Sequence, residues 1–107
     1  MYEFKKLKGE IIQYISDNAL LKKDKENKLI SVIITNKRLL LLDYPSQLNN
    51  YQEVLRTSQN IDYMRKKEII FETNLDEVLK IENDKITLKN GDYFYLKEEN
   101  IKKYIIN

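Results

Sequence analysis

The chain contains neither cysteine nor histidine. Disulfides, thiol chemistry, Cys/His zinc sites, His-based proton transfer and every Ser-His or Cys-His nucleophile arrangement are thereby excluded. A single proline, two glycines and no tryptophan leave few strong breakers, so turns must be sought in clusters of Asn, Asp and Ser. Neither sign of charge is in large excess: 19 basic residues stand against 17 acidic ones, giving +2 and an isoelectric point near 8.6. That balance does not favour bulk electrostatic capture of DNA or of an anionic bilayer. Long apolar runs are missing too. Leu39 to Leu42 spans four residues, where a bilayer crossing needs roughly 18 to 20. Met1-Tyr2-Glu3-Phe4-Lys5-Lys6 lacks the apolar stretch of a secretory signal, so cytoplasmic residence is the expectation.

What is present suits one domain, residues 1–107. The chain has 107 residues, 42% of them hydrophobic and 34% charged. At this length a fold buries roughly two-thirds of the surface its unfolded chain exposes, without a metal or a cross-link. Lysine, isoleucine and asparagine number 16, 14 and 11. Such usage reflects an A/T-rich coding sequence and points to a bacterial or phage protein. There is no internal repeat and no low-complexity linker.

Strand signals dominate the pattern. Gly9 leads into Glu10-Ile11-Ile12-Gln13-Tyr14-Ile15, rich in β-favouring residues. Ala19-Leu20-Leu21 is a short second apolar patch, and Lys22 to Lys28, with no apolar residue, reads as a solvent loop. Leu29 to Ile34 and Arg38 to Leu42 flank Thr35-Asn36-Lys37, which predicts a β-hairpin whose Asn tolerates a left-handed turn. The leucine run is too short before Pro45 to favour a helix. Its continuous rather than alternating apolarity implies cover on both faces. From Gln47 to Lys67 the spacing turns helical: Tyr51, Val54 and Leu55 fall at i, i+3 and i+4, and Ile61 and Met64 are three apart.

Further strands are expected at Glu68 to Glu72 and Glu77 to Glu82, with Val78 out of step in the second. Lys85 to Lys89 alternates with period two. Asn90-Gly91 offers the residues of a two-residue type I′ turn, and Asp92 to Leu96 returns antiparallel. Glu98 to Ile105 puts Ile101, Tyr104 and Ile105 on one face with acids leading and lysines trailing, as a closing helix does.

Gly9-Glu10-Ile11-Ile12, followed by Ser31-Val32-Ile33-Ile34-Thr35-Asn36-Lys37-Arg38-Leu39-Leu40-Leu41-Leu42-Asp43, resembles the bacterial pleckstrin-homology-like and GRAM-like domains. Those often carry a Gly-Glu pair ahead of a "TNKRL" or "TNxRL" hairpin. Leu75 to Ile81 looks like that family's next core strand, and Asn100 to Ile105 like its C-terminal helix. The resemblance implies a mainly β fold of the β-rich α+β kind. In it a bent antiparallel sheet or partly open barrel of about seven strands is capped by the C-terminal helix. The helical stretch around residues 47–66 departs from the family as an insertion. Such a scaffold serves lipid headgroups, peptides and self-association alike, so fold alone does not assign function.

Several residues are candidates for contact with a partner. Lys37 and Arg38 sit where a hairpin tip meets anions, although turn chemistry, with Arg38 paired to a carboxylate, explains them as well. Lys22, Lys23, Lys25 and Lys28 would meet phosphates as a loop, as basic residues do in lipid-binding pleckstrin-type domains. Asp24 and Glu26 cut that segment to +2, which makes it a weak, salt-sensitive contact. Arg65-Lys66-Lys67 with Tyr93, Phe94 and Tyr95 suggests a stacking surface, but strand alternation sends Phe94 to the opposite face. With no basic stripe, a nucleic-acid partner is not expected.

Asp76 and Glu77 fall on opposite faces when extended, and Asp24 and Glu26 lack the companions of a calcium loop. No Gly-rich phosphate loop is present. No enzyme activity, cofactor, metal or small-molecule substrate is therefore expected. Eight tyrosines suit a protein interface, and Tyr51, Leu55, Ile61, Tyr63 and Met64 are the candidate partner surface. The expected function is a non-catalytic module for protein contact or self-association. The alternative is weak contact with anionic membrane headgroups through the lysines.

Overall fold

Two adjacent apolar runs that are buried all round must lie in the middle of a sheet, with cover above and below. That is where Ile30 to Ile34 and Leu39 to Leu42 sit. The computed structural model describes residues 2–23, 26–44 and 66–105. It contains β1 (Tyr2–Glu3), β2 (Ile12–Lys23), β3 (Glu26–Thr35), β4 (Arg38–Asp43) and β5 (Lys67–Asn74). A 3-10 turn (Leu75–Glu77) follows, then β6 (Val78–Glu82), β7 (Lys85–Leu88), β8 (Tyr93–Lys97) and α1 (Ile101–Tyr104). The fold is mainly β: one open eight-stranded sheet in the order β1-β5-β4-β3-β2-β8-β7-β6. Every pairing is antiparallel except β1 with β5. One strand more is present than expected, because the N-terminal pair Tyr2–Glu3 adds an edge.

The sheet curls. Strand β2 carries two register shifts against β3, between Ile12 and Tyr14 and between Ser16 and Ala19. Each extra residue bends the strand and sharpens its twist. Its first part therefore belongs to the β2-β3-β4-β5 meander, while Leu20, Leu21 and Lys22 also pair with β8. Phe71 of β5 meets Phe94 of β8 edge-on at 5.1 Å, although three strands separate them in the sheet. The enclosed core holds Ala19, Ile30, Val32, Ile34, Leu39, Leu41, Val78, Ile86, Leu88 and Leu96, with Ile101 and Ile105 from α1 and its end. The expected apolar face of the closing helix is thus buried, in a single turn of helix. A smaller cluster on the opposite face, Ile33, Leu40 and Leu42, is covered by Tyr2, Phe4, Ile12 and Ile69.

Three readings of the sequence need correction. Lys22, Lys23 and Glu26 to Lys28 are strand and not loop: Lys22 pairs with Asn27 and Lys23 with Glu26. Backbone pairing there needs no apolar side chain. The Asn90-Gly91 connection is not a type I′ turn. The Gly91 N–H donates to the Leu88 carbonyl at 3.0 Å and Gly91 has φ +96°, but Asn90 is not at positive φ. This is a β-turn closed by a left-handed glycine. The Asn90 side chain instead accepts from the Asp92 N–H at 2.9 Å. Val78 is out of step because the ladder slips between Val78 and Lys80, which buries Val78 and leaves Leu79 exposed. The expected helical insertion around residues 47–66 is not shown. Apart from Lys66 it lies outside the described residues, and Tyr51, Leu55, Ile61, Tyr63, Met64 and Lys25 lie there with it.

Candidate functional site

The Thr35-Asn36-Lys37-Arg38 turn is spoken for by the fold. Asn36 accepts from the Ile11 N–H at 2.8 Å and donates to the Gly9 carbonyl at 3.1 Å. Lys37 donates to the Lys8 carbonyl. Arg38 is buried: its Nε and Nη2 donate to the two oxygens of Glu10 at 2.7 and 3.0 Å, Nη1 to Glu72 at 2.6 Å, and Nη2 also to the Lys5 carbonyl. The Gly-Glu pair near the start and the hairpin tip are therefore two halves of one buried ion pair.

The Arg38 guanidinium, with the Leu7 N–H and the Thr35 hydroxyl, outweighs burial and holds the Glu10 carboxyl down at about 2, against an ordinary value of 4.5. A depressed folded-state value contributes stability above the unfolded value, and that contribution is lost as pH falls through the folded one. Between pH 4.5 and about 2, wild type should lose on the order of 3 kcal/mol that the Glu10→Gln variant does not. Urea midpoints measured across that window check this. Parallel curves for the two proteins would contradict it.

A second cluster lies on the face that carries Ile33. Tyr2 and Ser31 donate to Asp17, the latter at 2.7 Å, and Lys67 donates to Ser31 at 2.6 Å and sits 3.5 Å from Asp17. Burial, followed by the hydrogen bond to Asp17, pushes the Tyr2 hydroxyl up to about 12. The Tyr2 and Ser31 hydroxyls hold Asp17 below its ordinary value. A serine beside a lysine has the outline of a nucleophile and base. Here Ser31 is fully buried and its hydroxyl donates to Asp17 rather than to Lys67, so it offers no exposed nucleophile.

The exposed cationic and aromatic residues meet elsewhere. Paired residues in a ladder project to one face, and pairing runs across strands in rows. Lys85 pairs with Tyr95, Tyr95 with Lys22, and Lys22 with Asn27. On one side of that row Tyr93 pairs with Thr87. On the other, Lys97 pairs with Leu20 and Leu20 with Leu29. The result is a single outer face on β7, β8, β2 and β3, where Tyr93 is 57%, Tyr95 41% and Leu29 63% exposed. Tyr93 and Tyr95 meet edge to face at 6.0 Å, and the Lys85 ammonium lies 4.3 Å from the Tyr93 ring centre.

Of the lysines expected to form one basic loop, Lys22 lies in this row. Lys28 is 2.7 Å from Asp43 in an ion pair. Of the basic run considered beside the tyrosines, Arg65 lies outside the described residues, and Lys67 is tied to Ser31 and Asp17. The expected split of Tyr93 and Tyr95 from Phe94 is what the strand does: Phe94 packs on the core. Lys85, Lys97, Leu20 and Leu29 were not singled out from sequence. Alternation marks Lys85, and apolar patches mark Leu20 and Leu29, as strand residues, but neither signal says which strands adjoin. No protein-family model significantly matches the chain, and no curated protein or solved structure does either.

Proposed function

We propose that the chain is a non-catalytic binding module of pleckstrin-homology-like architecture, and that it presents the Tyr93–Tyr95 face to another protein, a second copy of the chain included. The order of elements supports the architecture: a long bulged strand opens one meander, receives the last strand of a second meander, and a short helix follows. Support for a binding role rests on one observation. Two tyrosines and Leu29 stand exposed on paired strands rather than on a loop. Side chains held on a sheet lose little further freedom when a partner docks, and tyrosine brings apolar area with a polar tip. Each acid with a lowered pKa is engaged by another side chain of the fold: Glu10 by Arg38, Asp17 by Tyr2, Glu82 by Lys80 and Glu98 by Tyr14. Among the described residues no group of His, Cys, Asp or Glu is placed to hold a metal ion.

A photo-crosslinking residue in place of Tyr95 should give discrete protein adducts in the cells that make the chain, whereas one in place of exposed Lys89 should not. Equal adduct patterns at the two positions would overturn the reading. Lys22, exposed beside Asn27 at the hairpin's end, keeps a second reading in play, contact with anionic headgroups. Salt-sensitive co-sedimentation with phosphatidylserine vesicles that depends on Lys22 and Lys28 but not on Tyr93 and Tyr95 would favour it.

A further inference from the structure

We infer that the occupant of the Tyr93–Tyr95 face is an acidic, extended segment of a partner protein; this rests on the protein-binding reading above and adds the partner's chemistry. Charge on the face is one-sided. Lys22, Lys85 and Lys97 project from it, and none has a carboxylate within ion-pair distance among the described residues. The one carboxylate in these ladder rows is Glu82, opposite Lys85, and Lys80 already holds it at 2.9 Å. The overall charge of +2 thus conceals a local cationic surface built from three strands.

Geometry favours polypeptide over the other anions. Lys85 and Lys22 flank Tyr95 in one row, so their Cα atoms are roughly 10 Å apart at ordinary strand spacing. Carboxylates three residues apart on a segment extended as polyproline II, with three residues per turn, share one face and span about 9 Å. Nucleobases need open ring faces. Here the two rings stand at 86° to each other and the Lys85 ammonium occupies one face of Tyr93. A bilayer would want apolar residues at a protruding tip, but Lys22 and Asn27 stand at the hairpin's end. Leu29, on the strand beside them, gives an acidic peptide an apolar neighbour to pack on.

The test is fluorescence anisotropy with two labelled peptides, one of four Glu-Gly-Leu repeats and one of four Gln-Gly-Leu repeats. The Glu peptide should bind at least about ten-fold more tightly at about 50 mM salt, and the difference should shrink several-fold by about 300 mM. The triple variant Lys22→Gln/Lys85→Gln/Lys97→Gln should abolish the difference, while Lys89→Gln/Lys102→Gln should leave it intact. Equal affinity for the two peptides, or no binding of either, overturns the inference. So does tighter, lysine-dependent binding of an oligothymidylate or of phosphatidylserine vesicles. If both peptides bind equally and Tyr93→Ala/Tyr95→Ala removes both, the protein-binding face stands and only its acidic partner is lost.

Discussion

Replacing Arg38 with alanine should cost about 3–5 kcal/mol, a large share of what a domain of this size has to lose. The Glu10 side chain is fully buried, and Arg38 supplies two of its hydrogen bonds. Without the guanidinium, the Glu10 carboxylate keeps the Thr35 hydroxyl and the Leu7 N–H but loses the one cation that pairs with it among the described residues. Arg38→Lys should recover part of the loss, because an ammonium restores the charge but not the fork that reaches Glu10, Glu72 and the Lys5 carbonyl together. Glu10→Leu combined with Arg38→Met should sit much closer to wild type than either single alanine, since removing both charges leaves neither stranded. Glu72 is half exposed, so Glu72→Ala should stay within about 1 kcal/mol. Urea unfolding of the set gives the comparison. An Arg38→Ala protein as stable as wild type would mean that the pair contributes nothing beyond its own desolvation.

The second large loss should follow from Leu41→Ala, at about 3–4 kcal/mol. Leu41 lies between β3 and β5, opposite Val32 and Phe71, in a core whose neighbours come from both meanders and α1. Strands paired on both sides cannot close on the space left behind, so the cavity persists. Leu40 points to the other face and is also fully buried. Its cover there is partly the N-terminal segment, through Tyr2 and Phe4, which is held by a two-residue strand pairing and a few hydrogen bonds and yields more readily. Leu40→Ala should therefore cost less than Leu41→Ala. Leu29→Ala, at an exposed site, should change stability by less than about 0.5 kcal/mol. Equal losses at positions 40 and 41 would show that the N-terminal cover is as rigid as the main core.

This contrast also marks what could be read in advance. The β3–β4 hairpin was legible because two apolar runs around Thr35-Asn36-Lys37, broken only by Ser31, are too short for helices and too apolar for an edge. The shared face of Ile101 and Ile105 and the split of Tyr93 and Tyr95 from Phe94 followed from simple periodicity. The hairpin end at Lys22 to Lys28 did not, because a polar stretch that pairs through its backbone looks like a polar stretch that does not pair. Asn90 misled for a related reason: the Asn-Gly signal marks a reversal, while the hydrogen bond from Gly91 to Leu88 chooses its type. The partnership of Glu10 with Arg38 was open only in kind, as a nearby carboxylate without a name. The cationic face was out of reach. Lys85 and Lys97 meet through the β7–β8 pairing, but Lys22 joins them only through the β2–β8 pairing, and no local pattern announces a contact between residues so far apart.

That same seam has a consequence for how the chain acquires its shape. The β2-β3 and β3-β4 pairings, and those among β6, β7 and β8, join strands that follow one another closely, so each can zip as it emerges during synthesis. Leu20 cannot find Lys97 until almost everything between them has been made. Until then Leu21 and Val32 on one side, and Phe94 and Leu96 on the other, remain two greasy half-shells awaiting each other. Closure of the seam is the step with the greatest loop to tame, and a nascent or slowly translated chain would be most in need of a chaperone just before it.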